Sequence, residues 1–236
     1  EDIRNFEATF AQLAGQKHAV AFPYGRTAQV GILKALGIGG AEIICPSYTC
    51  VVVPHAIVKS GQEPVFVDVV EGGYNMDWDL VEAATNENTG AVIATSLFGE
   101  PVNQAALSAY QAKHPEIPII QDCAHSFFAH DIHKEGLAAY YGLNVSKIIT
   151  SIFGGMVTTD DDYLAEKLRE IRREMLRPGG NLKTIKRGLY LIAVWLAFLP
   201  WVYGLVNRLE RFGWLNAFVK YYDRSIIDLP NDAFDG

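Results

Sequence analysis

The sequence predicts a three-layer α/β/α domain on a mostly parallel, seven-stranded sheet, followed by a helical apolar extension. Two observations lead there. Short β-branched runs alternate with helical stretches over residues 1–160, the order that right-handed βαβ crossovers produce. Several runs, such as Val92-Ile93-Ala94, are apolar without alternation, as expected of strands covered on both faces.

The opening helix, Asp2 to Leu13, places Ile3, Phe6, Phe10 and Leu13 at helical spacing. His18 to Phe22 reads as the first strand, followed by a turn at Pro23-Tyr24-Gly25-Arg26. A helix from Thr27 to Leu36 is ended by Gly37 and Gly39. Further strands read at Glu42–Cys45, Pro64–Val67, Ala91–Ser96 and Ile117–Gln121. Ala139–Leu143 and Gly155–Thr159 complete the seven. Helices at Val51–Ser60, Asp77–Ala84 and Asn103–Lys113 fall between them.

Of the 236 residues, 50% are hydrophobic and 20% charged, the balance of an ordinary globular protein rather than a disordered or fibrous one. Three cysteines without framework spacing argue against a disulfide-stapled secreted domain. No apolar run behind a basic start marks a signal peptide. A net charge of −7 disfavours nucleic acid as the main partner, because phosphate binding needs a positive surface. That average conceals one abnormal region. Between Lys167 and Arg187 eight basic residues stand against Glu170 and Glu174, and Gly188 to Asn207 carries no charge at all.

Three places carry chemistry. Gly25-Arg26-Thr27-Ala28 sits where a strand enters a helix; unpaired N–H groups, the helix dipole and a hydroxyl there make a phosphate cradle. A plain helix cap would look similar, and Arg26 favours the phosphate reading because guanidinium suits that anion. Asp122 ends a buried strand, where open α/β sheets bind ligands, although a helix N-cap is an alternative. His125 follows three residues on, either beside the ligand or as a partly buried histidine, and nothing at metal-ligand spacing accompanies it. Lys147 lies between two apolar strands; an amine in a dry site loses its charge readily and condenses with aldehydes, whereas a loop lysine would be inert. Together a phosphate cradle, a strand-end carboxylate and an amine are what pyridoxal 5'-phosphate requires: an anchor, a partner for its ring nitrogen and a group for its aldehyde.

The order of blocks resembles the sugar aminotransferases of the DegT–StrS type. It runs from Phe6-Glu7 through the Gly25–Ala28 loop, Ile43-Ile44-Cys45-Pro46-Ser47-Tyr48-Thr49, Pro64–Asp68 and Leu97-Phe98-Gly99-Glu100-Pro101. Asp122-Cys123-Ala124-His125 and Lys147 with Gly154-Gly155-Met156-Val157 complete it. The resemblance implies the aspartate aminotransferase fold, fold type I of pyridoxal-phosphate enzymes. It makes Lys147 the catalytic, cofactor-linked lysine, pairs Asp122 with the pyridine nitrogen and sets His125 beside the ring oxygen. Gly25, Arg26, Thr27 and Ala28 become the phosphate site. It further implies a homodimer, a nucleotide-sugar substrate, glutamate as amino donor and a cytoplasmic location. Relatives that are dehydratases carry His in place of the lysine, so Lys147 argues against that branch.

Departures from the pattern fall around the cofactor. Cys50 occupies a position that often supplies a stacking aromatic, with Tyr48 as a substitute. Gly142 replaces a serine, leaving Asn144 or Ser146 to supply its phosphate contact, and Ile152-Phe153 replaces Gly-Glu before Gly154-Gly155. Family chains are longer and close the site with a small C-terminal domain. The expectation is therefore a cofactor-binding large domain over 1–175 and a basic, then apolar, extension over 176–236 that begins a truncated region. A catalytically silent, membrane-associated or scaffolding subunit is the alternative reading.

Leu189 to Val206 reaches the length of a membrane-span candidate, with tryptophans, tyrosines and basic flanks. Pro200 and Gly204 interrupt it, so it reads either as a buried helical hairpin or oligomer contact bent at Pro200 or as a helix lying in the inner face of a membrane.

Overall fold

The structure is a computed structural model that describes residues 2–129, 135–176 and 181–213. The chain divides into two compact units, Glu1–Leu176 and Arg177–Gly236. In the first, the strands are β1 (His18–Phe22), β2 (Glu42–Pro46), β3 (Glu63–Val67), β4 (Thr89–Thr95), β5 (Ile119–Asp122), β6 (Ala138–Gly142) and β7 (Gly155–Thr159). They form one seven-stranded sheet in the order β1-β7-β6-β5-β4-β2-β3. All neighbours run parallel except β7, which is antiparallel to both β1 and β6. The helices are α1 (Asp2–Ala14), α2 (Gly25–Leu36), α3 (Val52–Lys59), α4 (Trp78–Ala84), α5 (Gln104–Lys113) and α6 (Asp162–Met175).

Successive strand residues point to opposite faces, and both faces are apolar. Ile43, Ala91, Ile93, Ile120 and Val157 pack with Ile32 and Leu33 of α2, Ile57 of α3 and Leu168 of α6. On the other face Ile44, Val92, Ala94 and Ile119 meet Val81 of α4 and Leu107 and Tyr110 of α5. Phe10, Ala11 and Ala14 of α1 pack there on Ala139, Tyr141 and Met156. Three layers follow, as the unalternated strand runs require. Helix α6 lies within a stretch that the sequence marks mainly by its charge; Leu164, Ala165, Leu168 and Ile171 are its buried stripe.

One end of the sheet leaves β1 as an edge strand whose backbone groups must be satisfied. Glu7 of α1 accepts the Ala21 N–H at 2.8 Å, and Arg172 of α6 donates to the Ala21 carbonyl at 3.0 Å. Arg172 and Glu7 also pair directly, so one ion pair closes this edge and ties helices from both faces together.

The second unit contributes α7 (Asn181–Ala197) and α8 (Pro200–Arg211). Pro200 takes the first turn of α8, where its missing N–H costs nothing. Among the described residues no single helix is long and apolar enough to cross a membrane; Ile185–Ala197 and Pro200–Arg211 meet that test only as a pair, bent by 98°. The interruption falls where Pro200 predicts it. In this unit Leu189, Trp195, Phe198 and Trp201 are all exposed.

Arg172→Ala leaves the Glu7 carboxylate uncompensated in its buried position and should lower the unfolding free energy by about 3 kcal/mol. Glu7→Gln keeps an acceptor for Ala21 and should cost less. Urea unfolding followed by circular dichroism compares them; a larger loss for Glu7→Gln would contradict this account of the edge.

Candidate active site

Because β7 runs opposite to its neighbours, its first residue lies level with the last residues of β1 and β6. Gly155 pairs with Phe22 on one side and Gly142 on the other. Directly beyond Phe22 the chain turns into α2, and that turn rests on these glycines. A Cβ on Gly155 would collide with the Tyr24 carbonyl and lie 2.6 Å from the Gly25 nitrogen. A Cβ on Gly25 would lie 3.0 Å from the Gly142 Cα. Backbone therefore packs on backbone, and α2 begins at the carboxyl edge of the sheet.

Tyr24, the N-cap of α2, offers no side-chain cap. The Ala28 N–H donates to the Tyr24 carbonyl at 3.0 Å. Thr27 is fully buried and its Oγ1 has no protein partner. A buried hydroxyl without a partner at an uncapped helix start is costly unless an anion completes it. Arg26 sits in the same turn with its guanidinium 5.0 Å above the Tyr24 ring.

The Lys147 side chain enters from the other flank. The stem passes beside Gly142, where a Cβ would lie 3.4 Å from Lys147 Cε and 3.7 Å from Ala124 Cβ, ordinary contact distances. Asn144 and Ser146, both exposed, build the turn that presents it: Asn144 Oδ1 accepts from the Ser146 N–H at 3.1 Å and from its hydroxyl at 2.8 Å, and the Lys147 N–H donates to the Asn144 carbonyl. Burial lowers the Lys147 pKa from its ordinary value, against the pull of Asp122 and Cys50.

Asp122 ends β5, 5% exposed. Its carboxylate accepts the Ala124 N–H at 3.0 Å and a hydrogen bond from the Tyr140 hydroxyl of the adjacent strand. Burial raises its pKa, while Ala124, Tyr140, Lys147 and His125 oppose that rise. His125 is pushed down, by burial first and by Lys147 second, with Asp122 acting the other way. The same hydroxyl of Tyr140 lies 3.3 Å from Gln29 Oε1, a second acceptor that competes for its one proton, and Gln29 Nε2 donates to the Val53 carbonyl at 2.9 Å.

Tyr48 stands in an exposed aromatic group rather than alone. Its ring is 6.3 Å from Tyr74 and 6.5 Å from Phe98, and Phe98 lies 5.9 Å from His125. Cys50 is an exposed free thiol that reaches Lys147 electrostatically. Among the described residues no group of three or more side chains could hold a metal.

The residues singled out in the sequence thus fall at one edge of the sheet: Gly25, Arg26, Thr27 and Ala28 on α2, Asp122 and His125 after β5, and Lys147 after β6. Sequence reasoning missed Tyr140, Gln29, Tyr74 and Phe98. The first two act across strand and helix neighbours far apart in the chain, which leaves no local signal. Phe98, at φ 54°, had one: the following Gly99 marks a turn.

An α/β/α sheet that brings a strand-end carboxylate, a dry amine and an open helix start to one edge defines a large domain of the pyridoxal-phosphate-dependent transferase fold, type I. The chain belongs to the DegT/DnrJ/EryC1/StrS aminotransferase family, whose model matches residues 1–188. It is 33% identical over 184 residues to the UDP-2-acetamido-2-deoxy-3-oxo-D-glucuronate aminotransferase of Pseudomonas aeruginosa, covering 73% of this chain and 49% of that one. It is 34% identical over 181 residues to the GDP-perosamine synthase of Caulobacter vibrioides, covering 75% and 48%. A solved structure of the E. coli GDP-4-keto-6-deoxy-D-mannose-3-dehydratase with bound hydrated PLP superposes with a TM-score of 0.67 at 26% identity, over 73% of this chain and 47% of that one. The chain spans about half the length of the curated relatives it matches.

The residues present fit that cofactor. The unpartnered Thr27 hydroxyl suits its phosphate, and Lys147, made less basic by burial, suits an aldehyde.

Burial raises the folded-state pKa of Asp122, so the folded chain holds that proton more tightly than the unfolded chain does. The stability this contributes is complete below the ordinary carboxylate pKa of about 4 and is lost as pH rises through the raised value. Asp122→Asn keeps an acceptor for Ala124 and cannot ionise. Without cofactor it should be about 1 kcal/mol more stable than the parent at pH 7, with the gain shrinking toward pH 4. Urea midpoints at the two pH values decide; no gain at pH 7 contradicts the assignment.

Proposed function

We propose that this chain binds pyridoxal 5'-phosphate at the α2 edge and transfers an amino group from glutamate to a keto sugar carried on a nucleotide. The convergence of Lys147, Asp122 and the open α2 start at that edge carries this reading. Family membership supports the reaction class, and the activities of the two relatives, one named for a UDP sugar and one for GDP-perosamine, support the substrate class.

Each residue then has a task. Thr27 Oγ1, the backbone N–H groups at the start of α2 and Arg26 would hold the phosphate. Asp122 would keep a proton on the ring nitrogen, and Tyr140 and Ala124 hold Asp122. His125, its pKa lowered, is neutral near pH 7 and would serve the ring oxygen as a neutral partner. When bound, the cofactor would supply an electron sink. Lys147, made less basic by burial, would hold the aldehyde and, once the donor amine has displaced it, would carry the proton between donor and product carbons. Tyr48 and Cys50 would attend the ring, and Asn144 and Ser146, which build the lysine turn, would complete the phosphate site.

The reading takes 1–175 as the cofactor-binding domain and 176–236 as an extension to it. It includes a homodimer and a cytoplasmic location, supported by family membership, with residues 189–206 at the inner face of the membrane, supported by their composition.

Borohydride reduction of the protein with added pyridoxal phosphate should fix the cofactor on the Lys147 peptide, and Lys147→Ala should abolish the label. Glutamate-dependent formation of amino sugar should fall at least ~10³-fold in that variant. Thr27→Ala, which removes one hydrogen bond to a charged group, should weaken cofactor binding about tenfold. A parent protein that binds cofactor at Lys147 yet transfers no amino group to any nucleotide-linked keto sugar supports the silent-subunit reading instead.

A further inference from the structure

The second unit poses a problem that the catalytic reading does not address. Nine consecutive residues of α7, Leu189 to Ala197, are apolar or aromatic. At 3.6 residues per turn they cover every azimuth of the helix. Leu189, Leu191, Ile192, Trp195 and Leu196 are all exposed. The opening of α8 repeats the pattern, with Trp201, Tyr203 and Leu205 exposed around Gly204. A helix that docks on another protein surface has one apolar stripe and a polar back. These arms have no polar back, so the surroundings they fit are apolar all round.

Charge and shape narrow the surroundings further. Lys186 and Arg187 precede the apolar stretch of α7; Arg208 and Arg211 close α8, with Glu210 between them as the one acidic side chain of 181–213. The 98° bend puts Phe198-Leu199-Pro200 at an apex and turns both basic ends to the same side of it. At 1.5 Å per residue the apolar arms are about 14 Å and 10 Å long. Inclined by the bend, they set the apex within about 10 Å of the basic ends, less than half of a hydrocarbon core ~30 Å thick. Trp195 and Trp201 flank that apex as large apolar side chains, and Tyr190 stands toward the basic end, where a ring with one polar tip suits a membrane interface.

We propose that α7 and α8 form a re-entrant wedge that docks the protein on an anionic phospholipid bilayer, its apex in one leaflet and its basic ends on the headgroup phosphates. Both ends stay on one side, so the wedge anchors without spanning. The proposal is independent of the catalytic reading.

The test uses the full chain and vesicles of phosphatidylcholine, with or without phosphatidylglycerol. The chain should float with the mixed vesicles, less with phosphatidylcholine alone, and lose the difference at high salt. Ile192→Glu with Trp195→Glu should reduce partition more than tenfold, and Lys186→Glu with Arg208→Glu should remove the preference for the anionic lipid. In the unmodified chain, acyl-brominated lipid should quench tryptophan fluorescence, and quenching should drop in Trp195→Phe with Trp201→Phe. A parent chain that remains unbound to both vesicle types overturns the proposal. So does a self-associated parent that becomes monomeric on Ile192→Glu while showing no bromine quenching, which would make the surface a protein interface.

Discussion

Everything at the candidate site depends on a contact between backbones: the Tyr24-Gly25 turn lying on Gly155 and Gly142. Helix α2 can start at the carboxyl edge of the sheet only because no side chain stands between that turn and the start of β7. The contact exists because β7 is reversed. A parallel strand in its place would present its carboxyl end there and lead outward into a loop, whereas the reversed strand arrives there and can carry glycine at its first position. The Lys147 stem passes beside the same Gly142. Phosphate site and amine site thus adjoin at one residue. Burial on this edge then sets the charges.

The charges are mutually dependent. Burial disfavours the ionised forms of Asp122, Lys147 and His125 alike. Asp122 favours the charged forms of both cations, and each of them favours the carboxylate. Lys147 and His125 oppose one another, so the histidine is the less basic for having the lysine nearby. A bound cationic ring would add an opposite charge to Asp122 and so favour its ionised form. The hydrogen bonds from Ala124 and Tyr140 work in the same direction before any ligand arrives. Gln29 Oε1, 3.3 Å from the Tyr140 hydroxyl, is a second acceptor for the same proton, so the hydroxyl favours Asp122 most when the carboxylate is ionised.

The sheet and its layers were legible because unalternated apolar runs admit few architectures, and the structure differs from the expected strands by one or two residues at their ends. Strand β5 shows why: Ile117 is apolar enough to read as strand, yet pairing starts at Ile119, and Asp122, expected just beyond the strand, is its last residue. Lys147, Asp122 and the Gly25–Ala28 loop were legible because each is out of character for its setting, a charge or a glycine beside buried strands. What supports them was not. Tyr140 reads as an ordinary aromatic in a strand, and its use depends on the neighbour β5. Ile152 reads as a β-branched residue in a loop but has φ 72°, a conformation that costs such a side chain about 1–2 kcal/mol. The Ile152 N–H is held by the Thr150 hydroxyl at 2.8 Å, and the Ser151 hydroxyl holds the Phe153 carbonyl. The strain sits between the lysine and Gly155, where the surrounding contacts over-determine the loop.

Average composition concealed the second unit for a physical reason. Its basic and apolar residues are separated along the chain, not mixed, and a mean over 236 residues cancels one against the acidic first unit and dilutes the other. Separation is what gives the segment its use. Interspersed lysines and leucines would make an amphipathic helix with a stripe and a back. Clustered as they are, with a proline at the middle, they make two short arms that are apolar toward the bend and basic away from it. The bend also explains why neither arm needs the length of a span: a helix pair that re-enters on the side it left has to satisfy only one leaflet. The arms keep their backbone hydrogen bonds internal up to the break, and across it Leu199 donates to Leu196 and Tyr203 to Leu199.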